Sequence, residues 1–339
     1  MALSPLFGAA DLGADPFRER SRAAFSLYKQ ILGGGFRFDS NSEGLLAVMD
    51  SAFDGLPEHR FPLYSPQLQI DLQLSGSPAF PGGEPAPVMM QSGAGLICGV
   101  MDASNYVIVA PGQYRALVVA SEEMLRHPYH LRYELIEFAV FVLAARALGL
   151  VPLHGACVGW QGRGVLILGA SGSGKSTLAL SCLLQGLEFL AEDAVFVQPR
   201  SLLATGVANY LHVQSDTLGF VDSEAARSWI TQAPVIRRRS GVQKFEADLR
   251  TGPGAIAPRP LKLACVVFVS SRPADPSGEL LIPLPRERLL EQLRAEQAYG
   301  AALPTWPAFE EHLLELPHYE LRRGGHPRES ADALRGLLA

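Results

Sequence analysis

The sequence predicts an α/β fold in two parts, and two observations predict it. The apolar run "RGVLIL" (163–168) leads into "GASGSGKSTLAL" (169–180), the order of a strand, a glycine-rich loop and a helix. Short β-like runs crowd the first 127 residues, and the texture turns helical at Pro128. The expected division is a smaller mixed α/β domain over 1–127 and a loop-bearing domain over 128–339.

The elements follow in order. Residues 18–32 read as a helix. "GGGFRFD" (33–39) reads as a strand leaving a glycine turn. Ser40 and Glu43 have capping-box spacing before the amphipathic "GLLAVMDSAF" (44–53). "LQIDLQLSG" (68–76) alternates apolar and polar residues, as a half-buried strand does. The Pro/Gly-rich 76–88 reads as a loop. "GLICGVMD", "YVIVAPG" and "RALVVAS" read as strands, so the first part is expected to be rich in antiparallel pairs. A helix then starts after Pro128 and ends at Gly149. Strands follow at "VPLHGACVGW", "RGVLILG", "EFLAEDAVFVQ", "LACVVFVS" and "ELLIPLP", with helices at 175–186, 286–298 and 327–338. The proline-broken 250–262 reads as a loop.

Composition sets bounds. The chain has 339 residues, 48% hydrophobic and 19% charged, which suits a sizeable core and excludes global disorder. The net charge of -5 argues against a basic nucleic-acid-binding surface. Cys98, Cys157, Cys182 and Cys265 are widely spaced in apolar contexts with no CxxC pair, which reads as reduced thiols in a cytosolic protein. The first seventeen residues lack the basic start and apolar core of a signal peptide. The most apolar segment, 135–151, carries Glu137 and Arg146 and is short for a bilayer span, so a buried helix and no membrane association are expected.

Gly169, Gly174, Lys175 and Ser176 match G-x-x-x-x-G-K-[ST]. Glycines let backbone N–H groups turn inward around a phosphate. Lys175 offers a point charge to the β- and γ-phosphates, the Ser176 hydroxyl can ligate Mg²⁺, and the following helix directs its positive end at the anion. The nucleotide-contacting set is Gly169, Ser171, Gly172, Ser173, Gly174, Lys175, Ser176 and Thr177. Glu192 and Asp193 lie 17 and 18 residues beyond Lys175, where a returning strand brings two carboxylates beside the loop. One can hold Mg²⁺ while the other accepts a proton from an attacking hydroxyl; the plain alternative is a solvated strand end. The apolar strand "LACVVFVSSRP" ends in serines and arginine, not in an aspartate, which argues against motor and transport ATPases. His154 precedes the strand that feeds the loop, and it reads either as a site residue or as a satisfied core histidine.

"LHGACVGWQGRGVLILGASGSGKSTLALSCLLQGLEFLAEDAVFV" (153–197) resembles the catalytic core of HPr kinase/phosphorylase. The shared features are the Leu-His opening, the GxSGxGKS loop, the Leu-Ala helix and the acidic pair. The ending "LPHYELRRGGHPRESADALRGLL" (316–338) resembles the LP-x-Y-x-L strand and helix of looser HPr-kinase-related proteins. The resemblance implies a P-loop domain of the HPr kinase / phosphoenolpyruvate carboxykinase type, using ATP and Mg²⁺ to phosphorylate a serine hydroxyl. It implies catalytic roles for Glu192, His154 and Lys175, with Ser176 and Asp193 at the metal. The family's hexamers imply a homo-oligomer. Glu stands where the family has its first Asp, Ser-Thr replaces Ser-Glu after the lysine, and the Glu-Ile-Arg-Gly-Leu-Gly signature is missing. With these departures the chain looks closer to stand-alone kinases of ribosomal-peptide biosynthesis, whose acceptor is a peptide serine.

"PVIRRRSGVQKFEADLR" offers Arg237, Arg238, Arg239 and Lys244 as cations for the γ-phosphate or for an acidic peptide, or else a solvated basic loop. "NYLHVQSDTLGF" (209–220) offers His212, Gln214, Ser215 and Asp216 as acceptor-site residues, or else a plain strand and turn. The expected activity is an ATP-dependent serine kinase acting on a protein or peptide. A regulatory nucleotide-binding module and a small-molecule kinase are the alternatives.

Overall fold

The structure, a computed structural model, describes residues 24–62, 66–75, 83–274 and 278–339. The N-terminal stretch compared with a signal peptide, residues 18–23 of the expected first helix, and 76–82 of the Pro/Gly-rich segment lie outside the described residues.

The first sheet has seven strands: β1 (Phe25–Ile31), β2 (Gly34–Ser40), β3 (Leu68–Ser75), β4 (Met89–Gly93), β5 (Leu96–Val100), β6 (Tyr106–Ala110) and β7 (Arg115–Ser121), in the order β1-β2-β3-β7-β6-β5-β4. The central pairs β2–β3 and β3–β7 are parallel and the outer pairs antiparallel, so the sheet is mixed. The described part of the expected 18–32 helix is β1, a strand. Leu32 and Gly33 both take positive φ, the two-residue hairpin turn that returns the chain antiparallel along β2. Pairing with a neighbouring strand overrides a weak helical period here. Helix α1 (Glu43–Phe53) is capped by Ser42, which accepts from the Leu45 N–H at 3.4 Å, and not by Ser40. Ser40 instead accepts from the Ser42 N–H and donates to the Leu72 carbonyl at 2.8 Å, tying the helix entry to β3.

From Pro128 the chain is helical, with a π-helical turn at Leu131–Ile136 running into α2 (Glu137–Arg146). Leu131, Leu135, Ala139, Val140 and Leu143 join Phe36 and Phe38 in one core beneath the first sheet.

A ten-stranded sheet follows, formed by β8 (Val151–His154), β9 (Ala156–Trp160), β10 (Arg163–Leu168), β11 (Glu188–Ala191), β12 (Ala194–Val197) and β13 (Leu203–Gly206) together with later strands. β14 (Tyr210–Val213), β15 (Val235–Arg237) and β16 (Gln243–Asp248) make a separate small sheet. β17 (Ala255–Ile256), β18 (Leu261–Pro273), β19 (Leu281–Pro283) and β20 (His318–Arg323) complete the large one. The helices of eight residues or more in this part are α3 (Lys175–Leu184), α4 (Glu224–Thr231), α5 (Arg286–Glu296), α6 (Trp306–Leu313) and α7 (Pro327–Leu338).

β10 pairs parallel with β18 and antiparallel with β9, and its Val165–Leu168 run is fully buried. The period of two splits that run between faces. Val165 and Ile167 pack with residues of α3 and α7, while Leu166 and Leu168 pack with α5 and α6. Covering both faces with helices is what allows an uninterrupted apolar strand at the sheet centre. Among the described residues, no helix is long and apolar enough to cross a membrane. All four cysteines are free; Cys157, Cys182 and Cys265 are buried, and burial pushes the Cys182 thiol up to about 12.

Gly159 marks where the Leu261 side chain of β18 reaches β9. A Cβ there would lie 2.5 Å from Leu261 Cδ1 and 2.6 Å from the Arg163 carbonyl oxygen, which is backbone and cannot yield. Gly159→Ala is expected to cost about 1–3 kcal/mol through overpacking. Urea unfolding with an unchanged m-value measures it.

Candidate active site

The glycine loop connects β10 to α3. Gly169, Gly172 and Gly174 all have positive φ, which side chains rarely tolerate. At Gly169 a Cβ would also lie 2.8 Å from the Val269 carbonyl oxygen, so the loop passes close to β18. The Lys175 ammonium donates to the carbonyls of Gly169 (2.6 Å) and Ala170 (3.0 Å), curled back over its own loop. Burial lowers its pKa, opposed by the negative charges of Glu296, Asp193 and Glu192. The Ser173 hydroxyl oxygen is buried with no hydrogen-bond partner among the described residues.

The chain bends at Glu192–Asp193 between β11 and β12, and the two carboxylates part company. Glu192 is 7% exposed and accepts a hydrogen bond from the Ser176 hydroxyl. Its other oxygen accepts from the His212 N–H at 3.3 Å. Burial pushes this carboxyl up, but His212 and Ser176 outweigh burial and hold it below the usual range. Asp193 turns the other way. Its carboxylate meets His154 Nδ1 at 3.2 Å, accepts from the Tyr133 hydroxyl at 3.2 Å and faces Arg238 at 3.5 Å. Burial raises Asp193, and His154 and Arg238 drive it far down. The hydrogen bond that His154 donates to Asp193 raises the histidine above its usual value. The ends of β8 and of α5 fix this histidine: the Gln297 side chain accepts from the His154 N–H (2.8 Å) and donates to its carbonyl (3.1 Å).

A buried chain of charges supports the pair. His212 Nε2 lies 3.1 Å from Glu246, which pairs with Arg132, which in turn donates to Glu137 at 2.9 Å. Burial lowers the proton affinity of His212, and Glu192 and Glu246 raise it above the ordinary value. Arg238 donates to Nδ1 at 3.0 Å, nearer than Glu192 at 3.7 Å. With Arg238 seated, Nδ1 is therefore an acceptor and the ring proton sits on Nε2, facing Glu246.

The loop and the two carboxylates line one cleft of about 650 Å³, with the supporting charges behind it. It takes in His154, residues 171–177, Glu192, Asp193, Arg238 and Lys244. Of the three successive arginines only Arg238 enters. Arg237 lies on β15, and Arg239 turns away to Glu134 at 2.7 Å and to the Pro85 carbonyl. From the 209–220 stretch His212, Gln214 and Asp216 line the cleft and Ser215 does not. Tyr133, Gln297, Glu296 and the 322–326 stretch were not singled out by their chemistry in the sequence. Only the last carried a signal, as part of the "LPHYELRRGGHP" ending. Arg322 and Arg323 bring further positive charge into the cleft of a chain whose net charge is -5, and His326 borders it.

No family model matches the chain. Over 58 residues, 17% of this chain, it is 43% identical to HPr kinase/phosphorylase of Geobacter sulfurreducens; the match spans 18% of that relative's length. Among solved structures, the Hpr(Ser) kinase/phosphatase from Coxiella burnetii aligns with 55% of this chain and 94% of its own, at 14% identity and a TM-score of 0.30. The chain thus carries a stretch of HPr kinase-like sequence.

The His154–Asp193 pair gives a pH signature. The raised His154 contributes stability that is complete below the unfolded value near 6.5 and is lost as pH rises through the folded one. The depressed Asp193 contributes stability that is present above the ordinary carboxylate value and is lost as pH falls. In an NMR titration the His154 ring is expected to titrate above 6.5, and Asp193→Asn to bring it down. An unchanged midpoint in the variant means that the pair does not couple.

Proposed function

We propose that this chain, which matches an HPr kinase/phosphorylase over 58 residues, is an ATP- and Mg²⁺-dependent kinase. It transfers the γ-phosphoryl group to a serine hydroxyl of a protein or peptide. One observation supports this above the others: a lysine-bearing glycine loop shares a cleft with two carboxylates in different settings, one against Ser176 and one against His154.

In this reading residues 128–339 form a P-loop domain of the HPr kinase type, and 1–127 form the smaller domain. The turned-in N–H groups of 169–174 and Lys175 hold the triphosphate. Ser173, with its unpartnered hydroxyl, donates to a phosphate oxygen. Thr177, on the first turn of α3, borders the same site.

Ser176 and Glu192 are two oxygen donors already in contact, a donor set that suits Mg²⁺, which favours oxygen and keeps phosphate and water as its other ligands. When bound, the ion neutralises charge on the phosphates.

Asp193 and His154 handle the proton. The acceptor oxygen bonds to the γ-phosphorus, the bond to the ADP oxygen breaks, and the hydroxyl proton passes to the imidazole oriented by Asp193. Arg238 and Lys244 meet charge developing on the transferred group. This exchanges the roles that the family resemblance implied, which put the base at Glu192 and the metal at Asp193. The contacts of Ser176 and His154 favour the exchange.

The test is a γ-labelled ATP transfer assay with Mg²⁺ and candidate peptides. Lys175→Ala is expected to lower transfer by more than about 100-fold. Glu192→Gln is expected to weaken Mg–ATP binding along with transfer, whereas Asp193→Asn keeps binding and loses transfer. The reverse pattern restores Glu192 as the base. ATP that binds but is never transferred makes the chain a regulatory nucleotide-binding module instead.

A further inference from the structure

The cleft has two unlike ends. One holds Asp193, His154 and Arg238. The other runs past Thr177 and Leu180 of α3 to Phe220 and His326, and continues as a small annex of about 80 Å³ lined by these residues and Pro327, without His154, Glu192, Asp193 or Arg238.

The second end is built for a flat, weakly polar group. Phe220 is 38% exposed, at the end of a 3₁₀ turn that buries only Thr217. It closes the 3₁₀ turn Ser215–Phe220, which is tied to α3 by the Thr217–Thr177 hydroxyl contact at 3.2 Å. The His326 ring meets Phe220 edge-on, with centroids 5.6 Å apart at 80°. His326 caps α7: its Nδ1 accepts from the Arg328 N–H at 3.1 Å, which places the ring proton on Nε2 as a donor. α7 packs on α3, and Gln185 donates to the Arg328 carbonyl at 3.2 Å, so this aromatic corner does not depend on a free loop. Leu180 lies about one helical turn, ~6 Å, beyond Ser176 along α3. Arg322, whose Nε is buried without a partner among the described residues, flanks the route.

We propose that the Phe220–His326 corner is the nucleobase subsite, with the base stacked on the Phe220 ring and His326 Nε2 donating to its edge or to the ribose. This rests on the nucleotide-binding reading above and gives the cleft a direction. The base lies at the α3–α7 end, the triphosphate runs along the glycine loop, and the acceptor enters from the Arg238 side.

Titration calorimetry with Mg²⁺, comparing ATP with inorganic tripolyphosphate, tests it. Wild-type protein is expected to bind ATP more tightly than tripolyphosphate. Phe220→Ala should weaken ATP by about tenfold, the loss of one base–aromatic stack, and leave tripolyphosphate unchanged. Phe220→Trp keeps a flat face and should keep ATP affinity, which guards against a misfolded alanine variant. His326→Ala should likewise act on ATP alone. ATP affinity unmoved by these changes, or both ligands weakened alike by folded variants, overturns the subsite. Equal wild-type affinity for the two ligands also overturns it while sparing phosphate binding at the loop. Tripolyphosphate failing to bind while ATP still depends on Phe220 leaves the subsite standing and removes the phosphate-loop reading. Neither ligand binding removes both.

Discussion

The bend at Glu192–Asp193 is the constraint on which the site depends. Two neighbouring carboxylates left side by side would repel and raise each other's pKa. Here the backbone turns between β11 and β12, sending Glu192 inward to Ser176 and Asp193 outward to His154. Each anion then has its own partners, and both stay ionised. The side chain that meets the helix start of the glycine loop is thereby separated from the one that meets an ionisable ring at the cleft mouth. Two chemical tasks become available from one dipeptide.

That separation is held from outside the sheet. Tyr133 and Arg132 come from the π-helical turn whose neighbours pack beneath the first sheet. Tyr133 reaches Asp193, and Arg132 anchors Glu246, which holds His212, which backs Glu192. The helical segment packed against the first sheet therefore contributes to the electrostatics of a cleft it does not line. Removing Arg132 would leave Glu137 and Glu246 with an uncompensated buried charge, a disturbance larger than the net worth of the ion pairs themselves. The network joins the helical segment, the small β14–β16 sheet and the β11–β12 bend.

Much of the framework was legible. Runs such as "RGVLIL" and "LQIDLQLS" declare strands through burial and alternation, and the glycine spacing in 169–174 declares a loop that needs positive φ. The failures are equally physical. "FSLYKQI" has no strong period and became a strand because β2 lies beside it. The cap of α1 moved from Ser40 to Ser42 because Ser40 was recruited by β3. In the triple arginine, charge alone could not tell Arg238 from Arg239. Their directions on the β15–β16 turn decide which one faces Asp193 and which one Glu134.

The sequence by itself determined the local chemistry: a lysine and a serine at the start of α3, glycines where the backbone must turn, and two acids one strand away. These are short-range facts, set by backbone sterics and spacing. Only the tertiary structure decided the pairings, Ser176 with Glu192, His154 with Asp193, Arg238 with Tyr133 and Phe220 with His326. Such contacts join residues 16 to 106 positions apart in the chain. No local preference encodes them; they follow from how the sheets and helices share their buried faces.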